Sequence, residues 1–269
     1  MEKALKLLPL GTSDFENLRH RDQIYVDKTD MICELASVPG KFFFARPRRF
    51  GKSLLLSTFE SLFRDGLKNF QGLKIEQLWT DKSTYKVIKL DFSRVKPEGT
   101  FEDFCQYFDN YLEAQFSLIG FKKEDNGLFL SNQIEIFLAG LSSSSLVLLI
   151  DEYDAPLTAC LDNKEFFERV RNYLSRFYGI LKANDRVLRF LFITGITKFN
   201  KTSIFSELNN LSDISLAPQF GSLLGYTHEE VQTYFGSYIA KSAEVLSISQ
   251  NELMNRLAAH YDGFCFEET

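Results

Sequence analysis

The stretch LVLLI (146–150) constrains the fold more than any other part of the sequence, because it is apolar throughout and shows no alternation. Runs of this kind are typical of a parallel strand that is covered on both faces. Similar β-rich runs alternate with longer helical patterns along the chain. They predict further strands at 41–46, 85–92 and 187–195, and a weaker one at 213–217. Strands separated by helices need right-handed crossovers, so we predict a three-layer α/β fold with a mostly parallel sheet.

Apolar residues at helical spacing predict the helices between and after these strands. The predicted helices are 53–64, 101–118, 127–140, 164–183, 227–244 and 249–260. The chain has 269 residues, of which 45% are hydrophobic, which is enough to bury one substantial core. We therefore predict a core at residues 1–225 and a small helical appendage at residues 226–269.

Composition excludes several classes of protein. A net charge of −5 disfavours wide, non-specific binding of polyanions. The chain has no apolar run long enough to span a bilayer, and its first residues turn polar too soon for a secretory signal. We therefore expect a cytoplasmic protein without a membrane partner. The cysteines and histidines are scattered, which predicts reduced thiols and disfavours a metal cluster; they are Cys33, Cys105, Cys160, Cys265, His20, His228 and His260.

The stretch FFFARPRRFGKSLLLSTF (42–59) has the order strand, loop, helix that a phosphate-binding loop requires. In such a loop the backbone N–H groups and the helix N-terminus converge on phosphates. Gly51 would let the backbone approach closely, Lys52 would contact the β- and γ-phosphates, and Ser53 would ligate Mg²⁺. The residues predicted to bind the nucleotide here are Arg48, Arg49, Phe50, Gly51, Lys52, Ser53 and Leu54.

One position departs from the general phosphate-loop pattern. The first glycine is expected five positions before Gly51, where this chain has Arg46. Pro47 then fixes φ as the chain enters the loop. Inward-facing Arg48 and Arg49 would add positive charge near the phosphates, whereas outward-facing ones would contact a partner. The alternative for the whole stretch is a basic surface turn, with its arginines solvated or touching nucleic acid.

The predicted strand LVLLI leads directly into a pair of acids, Asp151 and Glu152. Ligands of open α/β sheets bind at this end of the strands. Asp151 would hold Mg²⁺, and Glu152 would act as the general base toward the attacking water. The alternative is a pair of solvated acids at the end of a strand. Because the acids occur together with the Gly-Lys-Ser loop, we predict a nucleotide site.

Thr194 closes the apolar stretch FLFIT (190–194), on the strand expected beside the acidic one. It would sense the γ-phosphate or orient the attacking water. The alternative is an ordinary threonine at the end of a strand. Further loop residues are expected near the γ-phosphate, at 198–201, Asn209 and Asn210. Residues 260–263 of the helical appendage could instead cover the nucleotide.

The chain resembles the bacterial AAA-ATPase-like family, many of whose members carry a C-terminal PD-(D/E)XK nuclease-like domain. The stretches that carry this resemblance are LPLGTSDFENLR (8–19), YVDKT (25–29), FFFARPRRFGKSLLLST (42–58), VIKLDFS (87–93), LVLLIDEYDAPL (146–157), LRFLFITGITKFNKTSIFSELNNLSDISL (188–216), LLGYTHEEV (223–231) and HYDGFCF (260–266). The resemblance implies a P-loop ATPase with an additional strand between the loop strand and the acidic strand. It also implies ATP or ADP with Mg²⁺ as ligands, and an arginine at position 46 is usual for the family.

The chain is also similar to archaeal-type and signalling ATPases, in which the segment before the first strand helps to enclose the adenine. By analogy, residues 25–29 form a candidate adenine wall, in which Tyr25 and Val26 are the residues predicted to bind the nucleotide. The alternative is that Asp27 or Thr29 caps the helix that follows.

The resemblance also bears on partners. The lysines of the predicted strand 85–92, Lys86 and Lys89, have no acid two residues before them, so this strand lacks the acid-x-Lys signature that would mark a complete nuclease centre. We therefore interpret the chain as the ATPase module, with a nuclease-like domain as a partner that it lacks and nucleic acid contacted only indirectly. A homo-oligomer is compatible with the resemblance, because a neighbouring subunit could supply an arginine finger.

Three functions follow from these observations. The first is an ATP hydrolase whose turnover drives or gates an attached domain or partner. The second is a switch that holds ADP or ATP without hydrolysis, and the third is a nucleic-acid-binding module with a degenerate nucleotide site.

Overall fold

Five strands form a single sheet in the computed structural model, which describes residues 5–198, 208 and 210–261. They are β1 (Gly40–Ala45), β2 (Lys86–Asp91), β3 (Leu146–Asp151), β4 (Leu188–Gly195) and β5 (Ser212–Asp213). Their order is β2-β3-β4-β1-β5, and every neighbouring pair is parallel. The predicted α/β fold is confirmed. The additional strand is β4, which lies between the loop strand β1 and the acidic strand β3.

Helices cover both faces of the sheet. They are α1 (Phe15–His20), α2 (Thr29–Ala36), α3 (Lys52–Asp65), α4 (Phe101–Ser117), α5 (Leu130–Ala139), α6 (Ala155–Thr158), α7 (Lys164–Ala183), α8 (His228–Leu246) and α9 (Gln250–Tyr261). Short 3₁₀ helices lie at Gly66–Asn69, Lys74–Gln77, Phe92–Arg94, Asp185–Val187 and Pro218–Phe220. Sequence periodicity did not predict α1, because six residues make less than two turns. Asp14 marks its start by accepting a hydrogen bond from the backbone N–H of Asn17 (2.8 Å).

The unalternating run of β3 is explained by two separate apolar layers. Leu148 and Ile150 pack into the layer formed with α4, α5 and α7, whereas Val147 and Leu149 pack into the layer formed with α1, α2 and α3. All six residues of β3 are buried. Burying one Leu, Ile or Val side chain stabilises the fold by about 1.5–3 kcal/mol, so this strand requires helices on both sides.

The fifth strand is shorter than the predicted 213–217. The backbone N–H of Ile214 still donates to the carbonyl of Phe43 (3.0 Å), but at the next position a side chain replaces the ladder. The Ser215 hydroxyl accepts the backbone N–H of Ala45 (2.9 Å). Because Ser215 satisfies the end of β1 through its side chain, its own backbone is released from the sheet.

Helices α8 and α9 form a hairpin with a small apolar cluster of its own, made of Ile239, Ala243, Leu253 and Met254. A different face of α8 contacts the segment before β1. The residues on this face are Glu230, Tyr234 and Tyr238, spaced four apart, and we call them the docking stripe of α8. No helix in the described part of the chain is long and apolar enough to cross a membrane. The domain division at residue 225 stays a prediction.

Each residue of the docking stripe makes a polar contact. Glu230 accepts from the Lys28 ammonium (2.6 Å), the Tyr234 hydroxyl accepts the backbone N–H of Asp27 (3.2 Å), and the Tyr238 hydroxyl donates to the Lys6 carbonyl (2.6 Å). The side chain of Lys28 is only 8% exposed. Burial lowers the pKa of Lys28, and the hydrogen bond that its ammonium donates to Glu230 opposes that shift. The hairpin is therefore attached by polar contacts, one of which is a largely buried ion pair.

We expect Glu230→Gln to lower the free energy of unfolding by about 3 kcal/mol, because it leaves the Lys28 charge buried without its partner. Adding Lys28→Met should recover most of that loss. Glu252→Gln is the matched control: its pair with Arg256 is at least half exposed, so about 0–1 kcal/mol is expected. Urea unfolding of the four proteins measures these differences. Equal losses for the two glutamine variants would contradict the role given to the buried pair.

Candidate nucleotide site

The loop 46–51 connects β1 to α3 at the carboxyl end of the sheet. Gly51 precedes the first residue of α3 with φ +91°, a conformation that side chains rarely adopt. A Cβ at Gly51 would meet only the Leu224 side chain, at an ordinary 3.7 Å, so the dihedral angle rather than space calls for glycine. Arg49 also has a positive φ, +69°. Non-glycine residues in this region are strained and cluster at ligand-binding sites.

Lys52 closes the loop on itself. Its ammonium donates to the carbonyls of Arg46 and Pro47, both at 2.9 Å, and the residue is 5% exposed. Burial lowers the pKa of Lys52, and the charges of Asp151, Glu152 and Asp154 oppose that shift. The ammonium therefore lies among the loop carbonyls, within the field of three carboxylates.

Arg46, which replaces the expected glycine, has a structural role in the chain. It is 4% exposed, its backbone lies outside the positive-φ region, and its guanidinium lies 4.4 Å from the Phe44 ring centroid. The guanidinium donates to the carbonyls of Ala45 (3.1 Å), Ser215 and Gly221 (3.4 Å). Position 46 thus does not need glycine, and Arg46 ties the start of the loop to the chain after β5.

The other loop residues have different surroundings. Arg48 and Arg49 are exposed, whereas Phe50 and Leu54 are half-buried and pack against the layer that holds α3. The charge of Arg48 acts on both Lys52 and Glu152. The loop therefore presents two arginines to solvent and anchors itself with apolar side chains on its other side.

The Asp151 carboxylate at the end of β3 is hydrogen-bonded both to the first turn of α3 and to β4. One carboxylate oxygen, Oδ2, accepts from the Ser53 hydroxyl at 2.5 Å. The other, Oδ1, accepts from the Thr194 hydroxyl at 2.6 Å and from the backbone N–H of Glu152 at 3.1 Å. Asp151 is 6% exposed and Thr194 is fully buried. The structure brings Ser53, Asp151 and Thr194 together. The Thr194 hydroxyl donates its hydrogen bond to Asp151.

Glu152 follows β3 with φ +49°, so the chain turns sharply at this residue. Its side chain is half-buried. Burial raises the pKa of Glu152, and the neighbouring charge of Asp151 raises it further. No hydrogen bond to its carboxylate occurs within the described residues. A carboxylate in this setting is a stronger base than an exposed one, as general-base chemistry requires.

Tyr25 and Val26 lie in the packing beside α3. The Tyr25 ring meets Phe15 edge-on, with 5.1 Å between ring centroids, and burial raises the pKa of its hydroxyl, which lies beside Thr58. Val26 is 8% exposed. Asp27 accepts from the backbone N–H (2.9 Å) and the hydroxyl (2.6 Å) of Thr29, the first residue of α2. The N-cap residue of α2 is Lys28, without a side-chain cap bond, so neither Asp27 nor Thr29 is the N-cap, although Asp27 binds the first residue of the helix. The adenine wall stays a prediction.

Sequence reasoning missed two residues near the site, Ser215 and Asp154. Both take over backbone hydrogen bonds where strand pairing ends. The third acid of the stretch IDEYD was the available signal for Asp154. The predicted residues 199–201, Asn209 and 262–263, and Cys265, lie outside the described residues.

Comparison with known proteins agrees with this geometry. A family model described as "Predicted AAA-ATPase" matches residues 9–205, which include the loop, the acid pair and Thr194. The chain belongs to the AAA-ATPase-like family.

One relative of the chain is described as "Uncharacterized protein in vnfD 5'region" of Azotobacter chroococcum mcd 1. It is 32% identical over 233 residues, which cover 86% of this chain and 45% of the relative. The chain therefore spans less than half the length of that relative. No solved structure matches this chain significantly.

The contacts of Arg46 in this AAA-ATPase-like chain predict that Arg46→Ala lowers the free energy of unfolding by about 2 kcal/mol, because buried carbonyls lose their donor. Arg48→Ala, two residues away and exposed, should change it by less than about 0.5 kcal/mol. Chemical denaturation of both variants measures the difference. If the two substitutions prove equally mild, Arg46 does not anchor the loop.

Proposed function

We propose that the chain is an ATP-binding module that hydrolyses ATP with Mg²⁺. The observation that carries the proposal is the carboxylate of Asp151, which accepts hydrogen bonds from Ser53 of the loop and Thr194 of β4. A phosphate loop and an acidic strand become one site only when such a contact joins them. Membership of a family of predicted AAA-ATPases supports the same conclusion.

Lys52 and the loop backbone would bind the phosphates. The Lys52 ammonium would exchange the carbonyls of Arg46 and Pro47 for phosphate oxygens, which compensate its charge better than neutral carbonyls do. The N-terminus of α3 adds backbone N–H groups and a positive dipole end. The exposed Arg48 and Arg49 add positive charge at the rim of the loop.

The donor set fits Mg²⁺. Ser53 Oγ and Asp151 Oδ2 are hard oxygen ligands 2.5 Å apart, and Mg²⁺ is commonly bound by one or two protein groups together with phosphates and water. Ser53 and Asp151 would hold the ion, which supplies charge neutralisation at the phosphates. Thr194 would keep the Asp151 carboxylate in place through its 2.6 Å hydrogen bond.

Glu152 would act as the general base. Its carboxylate would accept a proton from the water that attacks the γ-phosphorus, and the bond from that phosphorus to the bridging oxygen of ADP would break. The sharp turn at Glu152 separates its side chain from the strand that presents Asp151. In this proposal Asp151 holds Mg²⁺, whereas Glu152 accepts the proton.

Hydrolysis would gate an attached domain or a partner. The hairpin α8–α9 is held to the segment before β1 by polar contacts, and interfaces of that kind between parts of a chain permit relative motion. We propose a C-terminal nuclease-like domain, which the family resemblance implies, as the element that responds. A second copy of the chain is the proposed source of an arginine finger.

The test is a single-turnover assay with radiolabelled ATP and Mg²⁺, in which bound nucleotide is measured in the same samples. Glu152→Gln should bind ATP like the wild type and release phosphate about 10²–10³-fold more slowly, because the base is lost. Lys52→Ala should lose nucleotide binding. Glu165→Gln, an exposed residue in the first turn of α7, is the matched control and should behave like the wild type.

Each other outcome selects a different function. Binding by all proteins except Lys52→Ala, with hydrolysis by none, would establish the ADP/ATP switch instead. Salt-dependent binding of nucleic acid that survives Lys52→Ala, without nucleotide binding, would favour the nucleic-acid-binding module.

A further inference from the structure

Asp154, the second aspartate of IDEYD, is a buried acid with a defined set of donors. It is 1% exposed. Its Oδ2 atom accepts from the backbone N–H groups of Ile196 and Thr197, both at 3.0 Å, and from the Thr197 hydroxyl at 3.1 Å. All three donors belong to the loop that follows β4. Asp154 therefore binds that loop rather than the start of its own helix, α6.

These contacts continue the sheet beyond its last paired residues. Pairing between β3 and β4 ends at Ile150 and Ile193. Beyond Ile150 and Ile193, the segment 151–154 is hydrogen-bonded to the segment 194–197 by contacts outside the sheet ladder. We call the segment 151–154 with these contacts the 151–154 clasp. Besides the bonds of Asp151 and Asp154, the Tyr153 backbone N–H donates to the Thr194 carbonyl (3.0 Å), and the Tyr153 hydroxyl donates to the Thr197 carbonyl (2.8 Å).

Gly195 shows how closely the two segments approach. A Cβ at this position would lie 2.5 Å from the Tyr153 ring and 3.0 Å from Asp154 Oδ1. Buried backbone and side chains have no room to shift by that amount, so a larger residue would separate the clasp from β4. Glycine here serves close contact between the two segments.

The clasp positions Lys198, the residue after the clasped loop. The Lys198 ammonium pairs with Asp213 of β5 at 2.6 Å. Because β1 lies between β4 and β5, this pair crosses the end of the strand from which the phosphate loop begins. Asp213 also accepts the backbone N–H of Ser215 (3.0 Å), and Ser215 in turn holds Ala45. A chain of contacts thus runs from the acidic motif, around the loop after β4, to the start of the phosphate loop.

A role limited to stability explains Asp154 less well. An uncharged Asn, Ser or Thr could accept the same hydrogen bonds without the desolvation penalty of a buried carboxylate. A carboxylate also makes stronger, charge-assisted bonds to backbone N–H groups, which fix geometry more tightly. Its charge further acts on Lys52, whose pKa it raises against the effect of burial.

We propose that Asp154 is a positioning residue for ATP hydrolysis. It holds the loop Ile196–Lys198 against the acid pair, so that the acid pair and the start of the phosphate loop keep the same relative geometry during turnover. This inference rests on the proposed function. Asp154 is too buried to touch ATP and acts through the loop it holds. Small misplacements of groups near a reacting centre can lower rates by about 10²-fold, whereas ground-state binding tolerates them.

The first variant to test is Asp154→Asn. Its kcat should fall about 30-fold, while KM for ATP and the Kd of a fluorescent ADP analogue should stay within about threefold of the wild type. Rates are expressed per bound nucleotide, so that any loss of folded protein does not enter the comparison. Asp162→Asn, an exposed aspartate on the α6–α7 connection, is the matched control and should keep the wild-type kcat.

The second variant, Thr197→Val, removes one donor to Asp154 and leaves both backbone donors in place. Its kcat should fall about threefold, and the fall in the double variant Asp154→Asn/Thr197→Val should be smaller than the product of the two single effects, since both act through one contact. This variant keeps the test valid if Asp154→Asn does not fold.

The remaining outcomes distinguish the two proposals. Wild-type turnover with unchanged kcat in Asp154→Asn and Thr197→Val would overturn the positioning role alone. Equal losses of nucleotide affinity and kcat would assign Asp154 to the stability of the binding site and overturn it as well. Nucleotide binding without turnover in the wild type would overturn the proposed hydrolysis, and the positioning role with it.

Discussion

The shared carboxylate of Asp151 is the interaction on which the rest of the site depends. Ser53 lies in the first turn of α3, Thr194 is the last residue but one of β4, and Asp151 ends β3. These elements come from three distant parts of the chain, and only the strand order β3-β4-β1 brings their ends together. The two apolar layers that bury β3 and β4 hold that order. The geometry of the site is therefore a consequence of the packing on both faces of the sheet.

Arg46 shapes the start of the phosphate loop differently from the glycine that the general loop pattern has at this position. A glycine gives a loop freedom to approach a ligand, at the expense of greater disorder in the unfolded chain. Arg46 instead fixes the start of the loop through carbonyls of the segment after β5. At its other end the loop turns sharply, at Arg49 and Gly51, whose φ values are positive. A loop that is anchored at one end and turned sharply at the other is largely preorganised.

The sequence predicted the fold well because its strongest signals are local. The apolar run of β3 and the order strand, Gly-Lys-Ser, helix each define an element and its neighbours. Helix α7 was predicted with its observed bounds, because twenty residues carry a clear helical period. The pair of acids marked the carboxyl end of β3 for the same reason, and there the structure brings Asp151 together with Ser53 and Thr194.

The remaining features depend on contacts between distant residues, which periodicity does not encode. Arg46 meets residues 169 and 175 positions away, and Ser215 replaces a ladder bond of β1. Neither contact leaves a pattern in the neighbouring sequence. Tyr25 was assigned to the nucleotide by analogy, which stays a prediction, and its ring contact with Phe15 was not foreseen. Asp154 stood in a quoted motif, but its partners lie some forty positions further on.

The docking stripe of α8 has a consequence for how the hairpin can move. Glu230, Tyr234 and Tyr238 lie on one face, and each reaches a different point of the segment before β1. A shift of register by one residue rotates a helix face by about 100°, which would remove all three groups from their partners together. Sliding or rotating α8 on this segment by one residue therefore has to break the three bonds at once.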